Sequence, residues 1–220
     1  MSCTQCEGME NQFGRAAAAR SLRRYRRRGP DKSTRLLIES LRLALDDADA
    51  RAATLIDVGA GVGAIHHELL DGRVVRAVHV DASSAHLAVA REETERRGHG
   101  GQVEFVPGNF VSVAHEVAPA DVVTLDRVIC CYDDMPALVS RSAEKATRLY
   151  GAVYPRELTW MQIGIAAINV VQRLKRSSFR VFLHRPSAID AALRAAGLER
   201  LTLRRTFGWE VVVYERRRDQ

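Results

Sequence analysis

The sequence is short of cysteine, proline and aromatic residues: four cysteines, six prolines and 6% Phe, Trp and Tyr in 220 residues. The cysteines are Cys3, Cys6, Cys130 and Cys131, and an adjacent pair cannot easily bridge to itself, so no secretory disulfide framework is present. Cys3-x-x-Cys6 offers two metal ligands where a structural zinc site wants four. A metal-free terminus is expected, with Cys130 and Cys131 the only cysteines left to complete a site in space. No apolar run reaches the roughly 18 residues that a membrane helix needs, and no cationic and apolar leader opens the sequence. A cytoplasmic protein with no membrane span is the expectation.

What is present suits one domain: 46% of the residues are hydrophobic, enough for a sizeable core. The net charge is +6 and the pI about 9.5. Much of that excess sits near the two ends and on predicted helix faces, which favours a solvated surface over an acidic partner.

The chain is organised around Leu55-Ile56-Asp57-Val58-Gly59-Ala60-Gly61-Val62-Gly63. An apolar run suited to a buried parallel strand ends in an acid and three glycines spaced by two, then enters the helix-compatible stretch from Ala64. Such a reversal needs positive φ and bare backbone where a ligand approaches, and the helix start adds unpaired N–H groups and partial positive charge. A second β-rich run, from Val74 to Val80, ends at Asp81, 22 positions after Gly59. A ribose-binding acid is expected about 20 residues on, where a carboxylate can accept from both ribose hydroxyls. The competing role for Asp81 is as the cap of the helix that begins near Ser83 or Ser84.

The pattern Asp57-x-Gly59-x-Gly61-x-Gly63 followed by Asp81 resembles the signature of class I S-adenosylmethionine-dependent methyltransferases. The resemblance implies a Rossmann-like α/β fold: a seven-stranded sheet, mostly parallel, with a C-terminal antiparallel hairpin and helices on both faces. It implies S-adenosylmethionine as cofactor, with Gly59, Gly61 and Gly63 near its methionine end and Asp81 on the ribose. The expected cofactor set is Asp57, Gly59, Gly61, Gly63, Asp81, Ala82, Asn109, Phe110, Asp126 and Arg127. Asn109 stands where many members carry an acid for the adenine amino group; its amide oxygen can still accept, without charge. The nearest subfamily likeness is to magnesium-protoporphyrin O-methyltransferases, whose His-Tyr-Pro-like segment reads Cys131-Tyr132-Asp133 here.

The expected organisation is an N-terminal helical lid over residues 1–50 and a cofactor-binding domain over 51–220, with a lid insertion around 155–186. Residues 15–28 read as a helix crowded with arginine. RNA or an anionic membrane could bind it, but only Tyr25 is interleaved, so no stacking platform is indicated and an exposed face is favoured over nucleic acid. Gly29-Pro30 breaks it, and Asp31 or Ser33 can cap a second helix with a stripe of Leu36, Leu37, Leu41 and Leu45. Ser84 to Arg97 reads as a helix with Ala88 inward and Glu93 outward. Residues 135–149 read as helix and 150–154 as the fifth strand. The helix predicted over 157–176 is apolar on every face and must be covered, under a lid or in a homodimer, or by lining a lipophilic small-molecule pocket or touching a membrane; a lid over a hydrophobic substrate is favoured.

The implied chemistry is transfer of the sulfonium methyl to an oxygen, nitrogen or carbon nucleophile of a small acceptor, the protein mainly positioning it and excluding water. Tyr25, Tyr132 and His184 are the candidates for removing a proton, with Cys131 behind them. Two other readings stay open: an RNA-binding methyltransferase or module built on the arginine helix, and a non-methylating cyclase on the same fold.

Overall fold

The computed structural model describes residues 12–46 and 52–217. The Cys3-x-x-Cys6 pair and the 50/51 domain boundary lie outside these residues. Two helices, α1 (Arg15–Arg28) and α2 (Lys32–Asp46), precede the sheet, and then strands and helices alternate: β1 (Ala53–Val58), α3 (Ala64–Leu70), β2 (Val74–Asp81), α4 (Ser84–Arg96), β3 (Val103–Pro107), the single turn α5 (Phe110–Val113), β4 (Ala120–Asp126), α6 (Met135–Lys145) and β5 (Ala146–Pro155). After them come α7 (Thr159–Leu174), α8 (Pro186–Ala195) and the hairpin strands β6 (Leu198–Arg205) and β7 (Trp209–Arg216).

The seven strands form one sheet in the order β3-β2-β1-β4-β5-β7-β6. β1 pairs in parallel with β2 and β4, β3 with β2 and β5 with β4, while β7 runs antiparallel to both β5 and β6. The expected fold class is therefore found. The chain crosses from β3 over β2 and β1 to β4, so the order reverses beside β1, and the carboxyl ends of β1 and β4 flank the crevice where open α/β sheets take ligands.

Side chains alternate across a strand with period two, and the core divides accordingly. Leu55, Val122, Leu149, Val211 and Val213 face α2 and α3, where Leu37, Leu41, Ile65 and Leu69 meet them. Ile56, Val123, Tyr150, Val212 and Tyr214 face the opposite way, against Leu138 and Val139 of α6 and Ile189 and Leu193 of α8. Buried hydroxyls on that second face are paired: Tyr150 Oη lies 2.9 Å from Ser142 Oγ, and Tyr214 Oη donates to Asp190 at 2.8 Å. Arg216 donates to the carbonyls of Ala143 and Ala196, tying off the C-terminal turns of α6 and α8.

Four expectations need correction. Residues 146–149 are strand, because Ala146 and Leu149 pair with β4 and Leu149 also with β7; ladder bonds on both sides override the helical pattern. Ala88 is exposed and Glu93 is buried. Three arginines enclose Glu93, Arg26 at 2.8 Å, Arg97 at 3.0 Å and Arg96 beside them, and these donors hold its carboxyl down at about 2. Finally, α7 is not covered among the described residues: only Ile165 and Gln172 of it are buried. No helix among the described residues is long and apolar enough to cross a membrane.

Candidate functional site

At the end of β1 the chain turns through Gly59, Gly61 and Gly63 with φ of 61°, 59° and 81°, the left-handed region that L side chains rarely adopt. The glycines differ in what surrounds them. A Cβ on Gly59 would come within 2.5 Å of Val128, and one on Gly63 within 2.4 Å of the His66 ring, so both admit close packing inside the protein. A Cβ on Gly61 would meet nothing within 4 Å. Its bare backbone faces a cavity of about 570 Å³ that the turn, the ends of β2 and β4, α1 and α7 enclose.

Asp81 closes one side of that cavity. Its Oδ2 accepts from Gly61 N–H at 2.8 Å and its Oδ1 from Ser83 N–H at 2.8 Å, so the carboxylate faces the glycine turn. The helix cap is Ser83, whose Oγ accepts from His86 N–H, and Asp81 is thereby relieved of the capping role. Burial raises the Asp81 carboxyl above its usual range even with two amide donors on it. Further donors would stabilise its charged form.

Asp57 is buried at the floor, accepting from Thr124 Oγ1 at 2.8 Å and lying 3.2 Å from His66 Nδ1. Beneath the turn, His66, His67 and His79 pack ring against ring, with centroids 4.3 and 5.2 Å apart. Both nitrogens of His79 and the Nε2 atoms of His66 and His67 have no hydrogen-bond partner among the described residues. Burial holds His67 down at about 2 and His79 well below its ordinary value, so both are neutral. Among the described residues no group of histidine, cysteine and acid is arranged to hold a metal.

The far wall is built differently. Asp126 accepts from Thr34 Oγ1 at 2.6 Å and from Arg127 Nε at 3.0 Å, and Arg127 also reaches Asp31 of the loop before α2. This network pins the start of α2 to the end of β4, and burial still raises the Asp126 carboxyl. Arg127 adopts positive φ, 61°, to make these bonds, and its guanidinium lies 5.7 Å from the Trp209 ring. Phe13, Phe179, Ile168 and Val181 add apolar wall, and Arg24 of α1 stands at the same rim.

Of the residues expected from the sequence, Asp57, Gly59, Gly61, Asp81, Ala82, Asn109, Phe110, Asp126, Arg127, Tyr25 and Tyr132 line this one cavity. Gly63 is not in its wall. Asn109 caps α5, its Oδ1 accepting from Val111 N–H at 3.0 Å and its amide donating to Tyr132 Oη at 2.9 Å. Tyr25 turns its hydroxyl away, donating to Glu68 at 3.0 Å, and burial keeps that phenol protonated. His184 lies outside the lining, with Nε2 2.8 Å from the Tyr132 carbonyl oxygen, a tether for the loop after α7. Sequence reading missed His86, in the first turn of α4, and Phe13, Arg24, Gln172 and Val181, which come to the cavity from α1, α7 and the segments beside them; the one available signal for these four was the apolar, acid-free run from Leu158.

Sheet order, glycine turn and facing acid make a Rossmann-like fold of the kind that solved methyltransferases have. Residues 56–151 match the family model described as Methyltransferase domain. A 93-residue stretch is 36% identical to 3-amino-4-hydroxybenzoate 4-O-methyltransferase of Streptomyces cremeus, covering 40% of this chain and 23% of that relative's length. Among solved structures, magnesium protoporphyrin IX methyltransferase of Synechocystis PCC 6803 with bound SAH superposes with a TM-score of 0.74 at 17% identity, over 97% of this chain and 100% of that one. An O-methyltransferase family protein of Burkholderia thailandensis superposes with a TM-score of 0.67 at 19% identity, over 94% of this chain and 62% of that one.

Proposed function

We propose that the chain is an S-adenosylmethionine-dependent methyltransferase acting on a small, largely apolar acceptor. One observation carries the reading: the exposed backbone of Gly61, with room for an atom where its Cβ would be, lies beside a carboxylate that burial has left short of donors. A nucleoside supplies what this pair lacks, its ribose hydroxyls donating to Asp81 and its amino-acid tail crossing bare backbone. Ala82, Asn109 and Phe110 would flank the base, and Asp57, Gly59, Asp126 and Arg127 the methionine end. When bound, the cofactor supplies an electrophilic methyl group that needs no further activation.

The chain's own contribution is then placement. Ile168, Phe179 and Val181 offer the acceptor an apolar wall and exclude water, and orientation at such a site accounts for much of the barrier lowering. Tyr132 is the proposed group for proton handling at the acceptor, since it lines the cavity and its Oη accepts from the Asn109 amide, a donor that favours the deprotonated oxygen. α1 and α2 together with α7 act as the lid.

Calorimetry with S-adenosylmethionine and its demethylated product tests the reading. The wild type is expected to bind both, and Gly61→Arg, which fills the cradle, to bind more than about 100-fold more weakly with its fold intact. Absence of binding by the wild type removes the cofactor assignment. Mass spectrometry of the product separates methyl transfer from a cyclase reaction, whose product lacks the added methyl mass.

A further inference from the structure

Helix α7 inverts the usual polarity of a surface helix. Trp160, Ile163, Ala167, Val170 and Leu174 recur three and four residues apart, so they form one stripe, and the stripe points outward: Ile163 is 67% and Leu174 79% exposed. The other face buries Ile165 and Gln172, while Ile168, half-exposed, lines the cavity with Gln172. At the start of the helix the Trp160 ring stacks at 4.7 Å on Phe207, from the turn between β6 and β7, and Phe207 is 81% exposed. The apolar surface therefore runs from the hairpin tip along the whole helix.

Charge around this surface is mostly of one sign, Glu157 at the start of the helix being paired with Arg185. Between Glu157 and Asp190 the sequence holds no acid and five bases: Arg173, Lys175, Arg176, Arg180 and Arg185. Arg173, Lys175 and Arg176 are exposed and form no ion pair among the described residues. Across the cavity rim, Arg24 lines the same opening as Ile168 and Gln172, and Arg20 and Arg28 lie one helical turn to either side of it on α1. Those three are also without an ion pair among the described residues.

An uncovered apolar stripe ending in cations, whose one neighbouring acid, Glu157, is paired with Arg185, has the make-up of a helix that lies in a bilayer interface, apolar side in the acyl boundary and bases on anionic headgroups. A nucleic acid would account for the arginines but not for Ile163, Leu174 and Phe207. A second copy would cover the apolar stripe but bring another five bases, and no acid from 158–189, into one interface. We propose that this face docks on an anionic lipid surface, with α7 and the Phe207 turn immersed and the arginines of α1 beside them, so that the cavity rim meets the membrane from which an apolar acceptor can be drawn. Docking needs neither cofactor nor turnover, so it stands or falls separately from the methyl-transfer reading.

Flotation of the full chain with phosphatidylcholine vesicles, plain or with about 30% phosphatidylglycerol, tests it. The protein is expected to float with the anionic vesicles, to float far less with the plain ones, and to be released as salt rises. Ile163→Glu with Leu174→Glu should weaken partition at least about tenfold, and Arg173→Gln with Lys175→Gln should remove most of the preference for phosphatidylglycerol. All four side chains are outside the cavity lining, and unchanged thermal melting shows that the variants fold. Absence of flotation, or flotation that both double variants leave unchanged, overturns the proposal. So does a concentration-dependent dimer, seen by sedimentation, that Leu174→Glu breaks without any vesicle binding, and so does retention of oligouridylate without flotation.

Discussion

The two walls of the cavity are made on different principles. On the glycine-turn side, the turn is tied down by bonds inside the protein: Gly59 N–H on the Val80 carbonyl at 2.7 Å, Gly61 N–H on Asp81, Thr124 on Asp57. On the α7 side the helix is held by a reciprocal pair between Asn169 and Val181, 2.8 and 2.9 Å, and one bond from Gln172 to Gln12. The first wall is preorganised, with its geometry set by buried bonds before any ligand arrives. The second is a few contacts carrying apolar surface, the kind of element that opens at low cost. Under the proposed function, binding of a constant ligand belongs to the first and choice of a variable one to the second.

The strongest test of that division is at Asp81. Asp81→Ala should weaken S-adenosylmethionine binding by about 30- to 100-fold in calorimetry, because in the proposed complex two ribose hydroxyls would lose a charged acceptor. Ile168→Ala, on the other wall, should change cofactor affinity by less than about threefold while raising the KM for an apolar acceptor. A large loss of cofactor binding in the second variant would erase the distinction between the walls.

Next in size is the anchoring of α1 to the preorganised side. Glu93→Gln removes the charge that Arg26, Arg96 and Arg97 share and should cost roughly 2 kcal/mol of stability, read as a lowered urea midpoint at unchanged m value. Arg26→Gln alone, leaving two arginines, should cost less than half of that; an equal cost would mean that the link between α1 and α4 is the whole effect.

Acid should damage the glycine-turn side first. His67 and His79 are held neutral in the folded protein while the unfolded chain protonates them near 6.5, so the unfolded state binds more protons below that pH. Their contribution is complete above about pH 6.5 and is lost progressively as pH falls below it. Glu93 adds a second loss from about 4.5 down toward 2. Urea midpoints measured from pH 8 to pH 4 should fall with pH, and His79→Phe, which fills the space without a titrating nitrogen, should flatten the curve between 6.5 and 5. A flat wild-type curve would contradict the buried neutral histidines. The smallest effect is expected at Trp160→Ala, within about 0.5 kcal/mol of wild type, since the ring packs chiefly on the exposed Phe207.

The preorganised wall was legible in the sequence because it is local. A strand, three glycines, a helix start and an acid 22 residues on are all encoded within one β-α-β unit, and the turn has few ways to close. Asp126 and Arg127 were also reachable, as the end of the strand beside the switch point. The other wall was not, since Arg24, Phe13 and Gln172 converge from segments about 150 residues apart and no local period signals which distant segments will meet. Glu93 defeated the helical pattern for a related reason: three arginines, one of them 67 positions away on α1, satisfy a charge that amphipathicity would place outside. Strand residues 146–149 were lost to a helical stretch because their hydrogen-bond partners lie on β4 and β7, beyond any window.

β7 lies between β5 and β6 and adds Val211 and Val213 to one side of the sheet and Val212 and Tyr214 to the other. During synthesis neither half of the interior can therefore seal until residues 209–216 have left the ribosome, and until then β5 presents an open edge to any neighbouring nascent chain. The step that locks the structure is thus a late, long-range pairing, and a stall shortly before Trp209 would leave a molecule with a formed cradle but an unclosed body.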